Sequence, residues 1–162
     1  MIAKSTNAAA VLITDIVDCR LAIAKEVGAD EVLNVRGKST NDAAELVKQK
    51  LGAEPDVVIE CCGVQPSIEL AIKSVKDGGN VILLGLGSEF VQIPILEVIT
   101  KEINLRGAFK YSNTWPPAME LVRSGKVKLD KLTSAHFKLQ DAPEAFKCSQ
   151  KGEVIKVFVD CN

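Results

Sequence analysis

Residues 56–87 constrain this chain more than any other stretch. Two short apolar runs, Val57-Val58-Ile59 and Val81-Ile82-Leu83-Leu84, lie about twenty residues apart, and each is followed by small residues or glycine. The segment between them, Pro66-Ser67-Ile68-Glu69-Leu70-Ala71-Ile72-Lys73-Ser74-Val75, puts Ile68, Ala71, Ile72 and Val75 on one face at helical spacing. The runs themselves are apolar throughout, as strands covered on both faces are. The pattern predicts a βαβ unit with two parallel strands. These strands stop at Cys61-Cys62-Gly63 and at Gly85-Leu86-Gly87-Ser88. Both carboxyl ends therefore open onto glycine-bearing turns where backbone can approach a ligand, which points to a nucleotide or cofactor site.

Composition narrows the class. A chain of 162 residues with 47% hydrophobic residues and a formal net charge of -1 has enough apolar material for a real core and no excess of cations to attract nucleic acid or an anionic membrane. No apolar run approaches a membrane span, and residues 1–7 lack the apolar stretch of a signal peptide. The five cysteines, Cys19, Cys61, Cys62, Cys148 and Cys161, are odd in number and two are adjacent, so a reducing, cytoplasmic setting is expected rather than a disulfide framework. With one histidine and no Cys-x-x-Cys or His-x-x-x-His spacing, no metal is expected on this chain.

The βα alternation extends upstream. Ala8-Ala9-Ala10-Val11-Leu12-Ile13-Thr14-Asp15 reads as a buried strand ending in a carboxylate, and residues 17–28 as a helix with Leu21, Ala24 and Val27 inward and Gly28 at its end. Glu31-Val32-Leu33-Asn34-Val35 is a third strand, and residues 42–52 form an amphipathic helix closing at Gly52. Downstream, Phe90-Val91-Gln92-Ile93 alternates like an edge strand before Pro94, residues 95–101 form a short helix, and residues 103–109 form another strand. Trp115-Pro116-Pro117 opens a helix over 118–124, residues 125–137 are basic and irregular, residues 140–149 are helical, and residues 154–159 make a final strand.

Asp15 is the most suggestive single residue. A carboxylate closing a strand before a helix can accept both hydroxyls of a ribose and repel a 2′-phosphate, which favours NAD over NADP. The plainer reading makes it an N-cap, with Asp18 an equal candidate. The same acid, with Gly78-Gly79-Asn80-Val81-Ile82-Leu83, also suits an S-adenosylmethionine enzyme, so periodicity alone leaves two cofactor classes open. Arg20 either flanks the adenosine or is a solvated helix cation. Cys61 and Cys62 have no basic partner nearby in sequence and read as thiols lining a turn, not nucleophiles. His136 lies away from every strand end and reads as surface or packing. Lys110 and Tyr111 follow the strand over 103–109, where a substrate can be met. The Gly-x-Gly-x-x-Gly loop that should precede Asp15 in a dinucleotide fold does not occur.

Several segments together resemble the polyol (sorbitol-type) dehydrogenases of the medium-chain zinc dehydrogenase family. They are Ala10-Val11-Leu12-Ile13-Thr14-Asp15 with Arg20, Ala24-Lys25-Glu26-Val27-Gly28-Ala29-Asp30, Ile59-Glu60-Cys61-Cys62-Gly63, Leu84-Gly85-Leu86-Gly87-Ser88-Glu89 and, most discriminating, Phe109-Lys110-Tyr111-Ser112-Asn113-Thr114-Trp115-Pro116. The resemblance covers essentially the whole chain. It implies a Rossmann-type doubly wound parallel sheet in α/β architecture, incomplete because its first strand and glycine loop are missing. It also implies an NAD-binding part over 1–125 and a segment over 126–162 that returns to a catalytic domain.

By the same resemblance, NAD is held by Asp15 and Arg20, by the turn Leu84, Gly85 and Leu86, and by the backbone of Ala108, Phe109 and Lys110. Lys110 and Tyr111 reach a polyol. Lysine stands at 110 where the family has arginine, replacing a planar fork by a point charge, and Cys62 stands where the family usually has threonine. Zinc ligation and proton relay belong to a catalytic domain outside these residues, so no catalytic residue is expected on the chain and the fragment is expected to be inactive alone. The family's sheet order 3-2-1-4-5-6 makes the missing strand the central one. The strands of Asp15 and Ile59 are then expected either to close up on each other or to leave the piece marginal, and the strand over 154–159 to lack its sheet. The stretch Phe90-Val91-Gln92-Ile93 corresponds to a strand that pairs between subunits, implying a homo-oligomer or a non-catalytic module that pairs with full-length subunits.

Overall fold

The computed structural model describes residues 1–132, 135–152 and 154–161. In chain order the elements are α1 (Ile2–Ser5), β1 (Leu12–Asp15), α2 (Asp18–Glu26), β2 (Glu31–Asn34), α3 (Thr40–Leu51), β3 (Val57–Glu60), α4 (Gln65–Ser74), β4 (Asn80–Leu83), α5 (Ile95–Thr100), β5 (Asn104–Gly107), α6 (Trp115–Arg123), β6 (Ala135–Lys138), α7 (Ala142–Lys151) and β7 (Val157–Asp160), with 3-10 turns at Asp130–Leu132 and Leu139–Asp141. They gather into two compact units. One is Gly37–Thr114, and the other joins Met1–Arg36 to Trp115–Asn162. The expected division at residue 125 comes from the family resemblance, whereas this one follows compactness.

Gly37–Thr114 contains the expected βαβ unit. α3 starts where Ser39 Oγ accepts the Asp42 amide at 3.1 Å and donates to the Asp42 carboxylate at 2.7 Å, and it ends at Gly52 in the left-handed region, φ +75°. α4 carries Pro66 in its first turn, where no backbone donor is needed. β3, β4 and β5 form a parallel ladder in that order, with Val58 opposite Val81 and Val81 opposite Leu105. The core is Ile68, Ala71, Ile72 and Val75 packed with Val81 and Ile103, and Val58 and Leu83 add to it. All four helical positions picked out by the periodicity are therefore buried. Ile72, Val75 and Val81 are 0% exposed, and each such side chain contributes about 1.5–3 kcal/mol.

Two expectations fail in this unit. The strands are not covered on both faces: Val57 and Ile59, which alternate with Val58, are 52% and 57% exposed, because the helices of this unit lie on the Val58 and Val81 side. Nor is Phe90-Val91-Gln92-Ile93 a strand. Val91 and Ile93 pack on the core while Phe90 is 84% exposed, so the alternation is real, but no strand pairs with the segment. The Gln92 amide donates instead to Gln65 Oε1 at 3.2 Å.

The second unit holds two further parallel pairs. β1 and β2 flank α2, Leu12 lying opposite Glu31 and Asp15 opposite Asn34. β1 is shorter than the expected strand over 8–15 and only half-buried, since Thr14 and its neighbours retain contact with solvent. Among the described residues β1 pairs with β2. β7 does have a partner, against the expectation that it would lack its sheet. It pairs in parallel with β6 across α7, His136 opposite Phe158. β6 falls inside the segment expected to be irregular, of which Thr133 and Ser134 lie outside the described residues. Ala135 and Phe137 face inward and His136 and Lys138 outward, an alternation too brief to register against its basic surroundings.

Candidate functional site at the carboxyl edge of the parallel sheet

The carboxyl ends of β3, β4 and β5 share one edge within the Gly37–Thr114 unit. β3 ends at Glu60, whose side chain is 3% exposed and turns back onto the chain ahead of it. One carboxylate oxygen accepts the Cys62 amide at 2.7 Å, and both accept the Gly63 amide at 3.0 Å. A buried carboxylate is tolerated when its lone pairs meet donors, and here the donors are the backbone of the turn it supports.

The neighbouring turn docks on this one through backbone. The amides of Leu84 and Gly85 donate to the Glu60 carbonyl at 2.9 and 3.0 Å, and the Ser88 amide donates to the Gly63 carbonyl at 3.0 Å. A Cβ at Gly85 would sit 2.5 Å from the Cys62 carbonyl carbon, and one at Gly63, which has φ +73°, would sit 2.5 Å from the Gly87 nitrogen. Gly85 is thus required by close approach and Gly63 by both approach and conformation. Leu84 and Leu86 extend outward from this interlocked pair and are exposed.

β5 continues the edge. The Ala108 amide donates to the Leu83 carbonyl at 2.9 Å, which ties the segment after β5 to the end of β4. Ala108, Phe109 and Lys110 then line a cleft of about 420 Å³ together with Ile82, Arg106 and Thr114. Lys110 has φ +47°, and its Nζ lies 4.9 Å from the centroid of the Phe109 ring. Tyr111 is exposed and is not part of the cleft wall. Arg106, also in the wall, was not singled out from the sequence. Arg106 pairs in register with Ile82, so strand alternation was the signal that could have placed it on that face.

Asp15 and Arg20 belong to the other unit. Asp15 closes β1, and its Oδ1 accepts the amides of Ile16 and Val17 at 2.7 and 2.9 Å. The plainer reading of Asp15 is thereby partly realised: it caps the turn into α2, whose N-cap residue is Val17. Its Oδ2 pairs with Arg20 Nη1 at 3.8 Å. Arg20 also lies over Gly152, where an added Cβ would fall 2.9 Å from Nη2.

The remaining candidates are structural. Partial desolvation, then Glu60 and Cys62, push the Cys61 thiol above its ordinary pKa, which disfavours the nucleophilic thiolate. His136 is exposed, stacks on Phe158 at 5.2 Å and lies 3.4 Å from Asp160 Oδ2. Among the described residues no three His, Cys, Asp or Glu side chains converge into a set that could hold a metal ion. No helix there is long and apolar enough to cross a membrane.

The chain is 41% identical over 160 residues to sorbitol dehydrogenase of Ovis aries, a match covering 99% of this chain and 45% of that protein. Among solved structures it resembles L-idonate 5-dehydrogenase of Escherichia coli, with a TM-score of 0.83 and 25% identity, covering 97% of this chain and 44% of that one. A zinc-binding dehydrogenase of Sinorhizobium meliloti, solved bound to NADP, matches with a TM-score of 0.76 and 26% identity over 89% of this chain and 43% of its own. The chain therefore spans under half the length of these relatives. Residues 1–124 match the family model described as zinc-binding dehydrogenase, and the chain belongs to that family.

Proposed function

We propose that this chain forms the NAD-binding part of a polyol dehydrogenase that oxidises a secondary alcohol of a sorbitol-like substrate to a ketose by hydride transfer to the nicotinamide. One observation carries the reading. The turn over 84–86 and the segment over 108–110, the stretches whose family counterparts contact NAD, lie on the carboxyl edge of one parallel sheet, tied by the bond from Ala108 to Leu83. Open α/β sheets take their ligands at that edge. The family assignment sets aside the S-adenosylmethionine reading.

In this reading the turn over residues 84–86 and the cleft at 108–110 cradle the dinucleotide. Asp15 Oδ2 accepts a ribose hydroxyl, and Arg20 sits beside it. The Sinorhizobium relative holds NADP, but a 2′-phosphate here would meet the Asp15 carboxylate, which favours NAD. Lys110 and Tyr111 meet the polyol hydroxyls, Lys110 as a point charge that orients less strictly than an arginine fork. Zinc, when bound, supplies Lewis-acid polarisation of the alcohol. By the family resemblance its ligands belong to a catalytic domain outside these residues, towards which residues 126–162 return. Five free cysteines suit a reducing cytoplasm.

Calorimetric titration of the 162-residue chain with NAD and with S-adenosylmethionine, beside a sorbitol oxidation assay with and without chelator, tests this. Binding of NAD alone and no oxidation are expected. Chelator-sensitive turnover, or preference for S-adenosylmethionine, would overturn it.

A second reading rests on a separate observation: Phe90, 84% exposed, lies close in sequence to the exposed Ile95, Leu96 and Ile99 of α5. That surface suits a non-catalytic module pairing with a second copy or with full-length subunits. Co-elution with the full-length enzyme at micromolar concentration is expected on size-exclusion chromatography, and separate elution would contradict it.

A further inference from the structure

We propose that Cys61 and Cys62 form a bidentate dithiol site for trivalent arsenicals and that its occupation loosens the turn over 84–88. The two thiols are adjacent in sequence, both are exposed, and neither is in a disulfide. They sit just after β3, where two turns touch through backbone.

Geometry favours a bridging atom over a direct disulfide. Consecutive Cα atoms across a trans peptide are about 3.8 Å apart, below the roughly 4.4–6.8 Å that disulfides span, and the described backbone contains no cis peptide. An S–S bond between neighbours must therefore distort the peptide. One arsenic between the sulfurs enlarges the ring and relieves that demand. With phenylarsine oxide two As–S bonds form and the arsenic–oxygen bond breaks. The two thiol protons leave with that oxygen as one water, and arsenic stays trivalent.

Occupation of the pair reaches the neighbouring turn directly. Closing a ring over residues 61 and 62 rotates the peptide whose amide is held by Glu60 at 2.7 Å. Gly85 is packed so tightly on the Cys62 backbone that an added Cβ would lie 2.6 Å from its nitrogen. The Ser88 bond to the Gly63 carbonyl, at 3.0 Å, hangs on the same turn. A rotation there has no slack to absorb it except by moving the turn over 84–88.

The test uses the whole 162-residue chain, kept reduced with a phosphine and titrated with phenylarsine oxide, with free thiols counted, peptides mapped by mass and amide exchange followed. Two thiols are expected to disappear per arsenic at one arsenic per chain. The adduct should map to the peptide carrying Cys61 and Cys62, resist a monothiol wash and leave with a dithiol. The triple variant C19S/C148S/C161S should behave like the parent, and C61S or C62S should lose retention at least tenfold. Amides over 84–88 should exchange faster in the adduct. An adduct on any other cysteine pair, retention unchanged in C62S, or no retained arsenic would overturn the site. Unchanged exchange over 84–88 would overturn the coupling. Should a serine variant fail to fold, the peptide map of the unaltered chain decides.

Discussion

Glu60 holds Gly63 through both carboxylate oxygens, each 3.0 Å from the glycine amide. Through that one contact the end of β3 sets the shape of the turn that follows, and through the turn it sets the place of the next one, since Gly63 and Gly85 meet backbone to backbone. The candidate cofactor edge is therefore built from a buried carboxylate and two glycines, without help from the exposed leucines that extend beyond it.

Replacing the carboxylate tests this construction. Glu60→Gln keeps an acceptor for the Cys62 amide but brings a second donor to the Gly63 amide, and it removes the charge that strengthens both bonds. A loss of about 1.5–3 kcal/mol is expected. Urea unfolding measures it, and an unchanged midpoint would show that the turn does not depend on Glu60.

Gly85→Ala tests the close approach. The new methyl would meet the Cys62 backbone at 2.5–2.6 Å, and backbone cannot rotate aside as a side chain can. Overpacking of this kind costs about 1–3 kcal/mol. NAD affinity should fall with it. Gly28→Ala, where nothing lies within 4 Å of an added Cβ, is the control: it meets no neighbour and bears only its own backbone strain at φ +106°.

The core of the Gly37–Thr114 unit is anchored by Ile72, which is 0% exposed. Ile72→Ala should cost about 2–5 kcal/mol. Thermal unfolding checks this, and a loss below 1 kcal/mol would mean that α4 packs differently against β4.

Acid should weaken two ion pairs. The hydrogen bond from Lys4, then that from the Val11 amide, hold Asp30 below the usual aspartate pKa, and the hydrogen bond and charge of Lys76 do the same for Asp56. A depressed carboxylate pKa contributes stability that is full above the unfolded-state value and is lost as pH falls through the lower folded value. Stability should therefore drop below about pH 4, and the drop should shrink in K4Q and in K76Q. Urea midpoints across that range provide the measurement.

Much of this was legible in the sequence, for physical reasons that particular residues show. Ile68, Ala71, Ile72 and Val75 announced α4 because a helix that buries one face must repeat its apolar positions at that spacing. Phe90-Val91-Gln92-Ile93 misled because one-sided burial produces the same alternation whether or not a strand lies alongside. β6 was invisible for the opposite reason: four residues beside lysines give too little pattern. Side-chain-to-backbone contacts such as that of Glu60 leave no periodic trace, since a glutamate ending a strand looks the same whether its carboxylate turns inward or out.

The carboxylate at position 15 is proposed to select a ribose without a 2′-phosphate. Parallel calorimetric titrations of the chain and of its Asp15→Asn variant with NAD and with NADP test it most directly. The parent is expected to bind NAD at least tenfold more tightly than NADP, and the variant to lose most of that preference. Equal affinities in the parent, or a preference unchanged by the substitution, would contradict it.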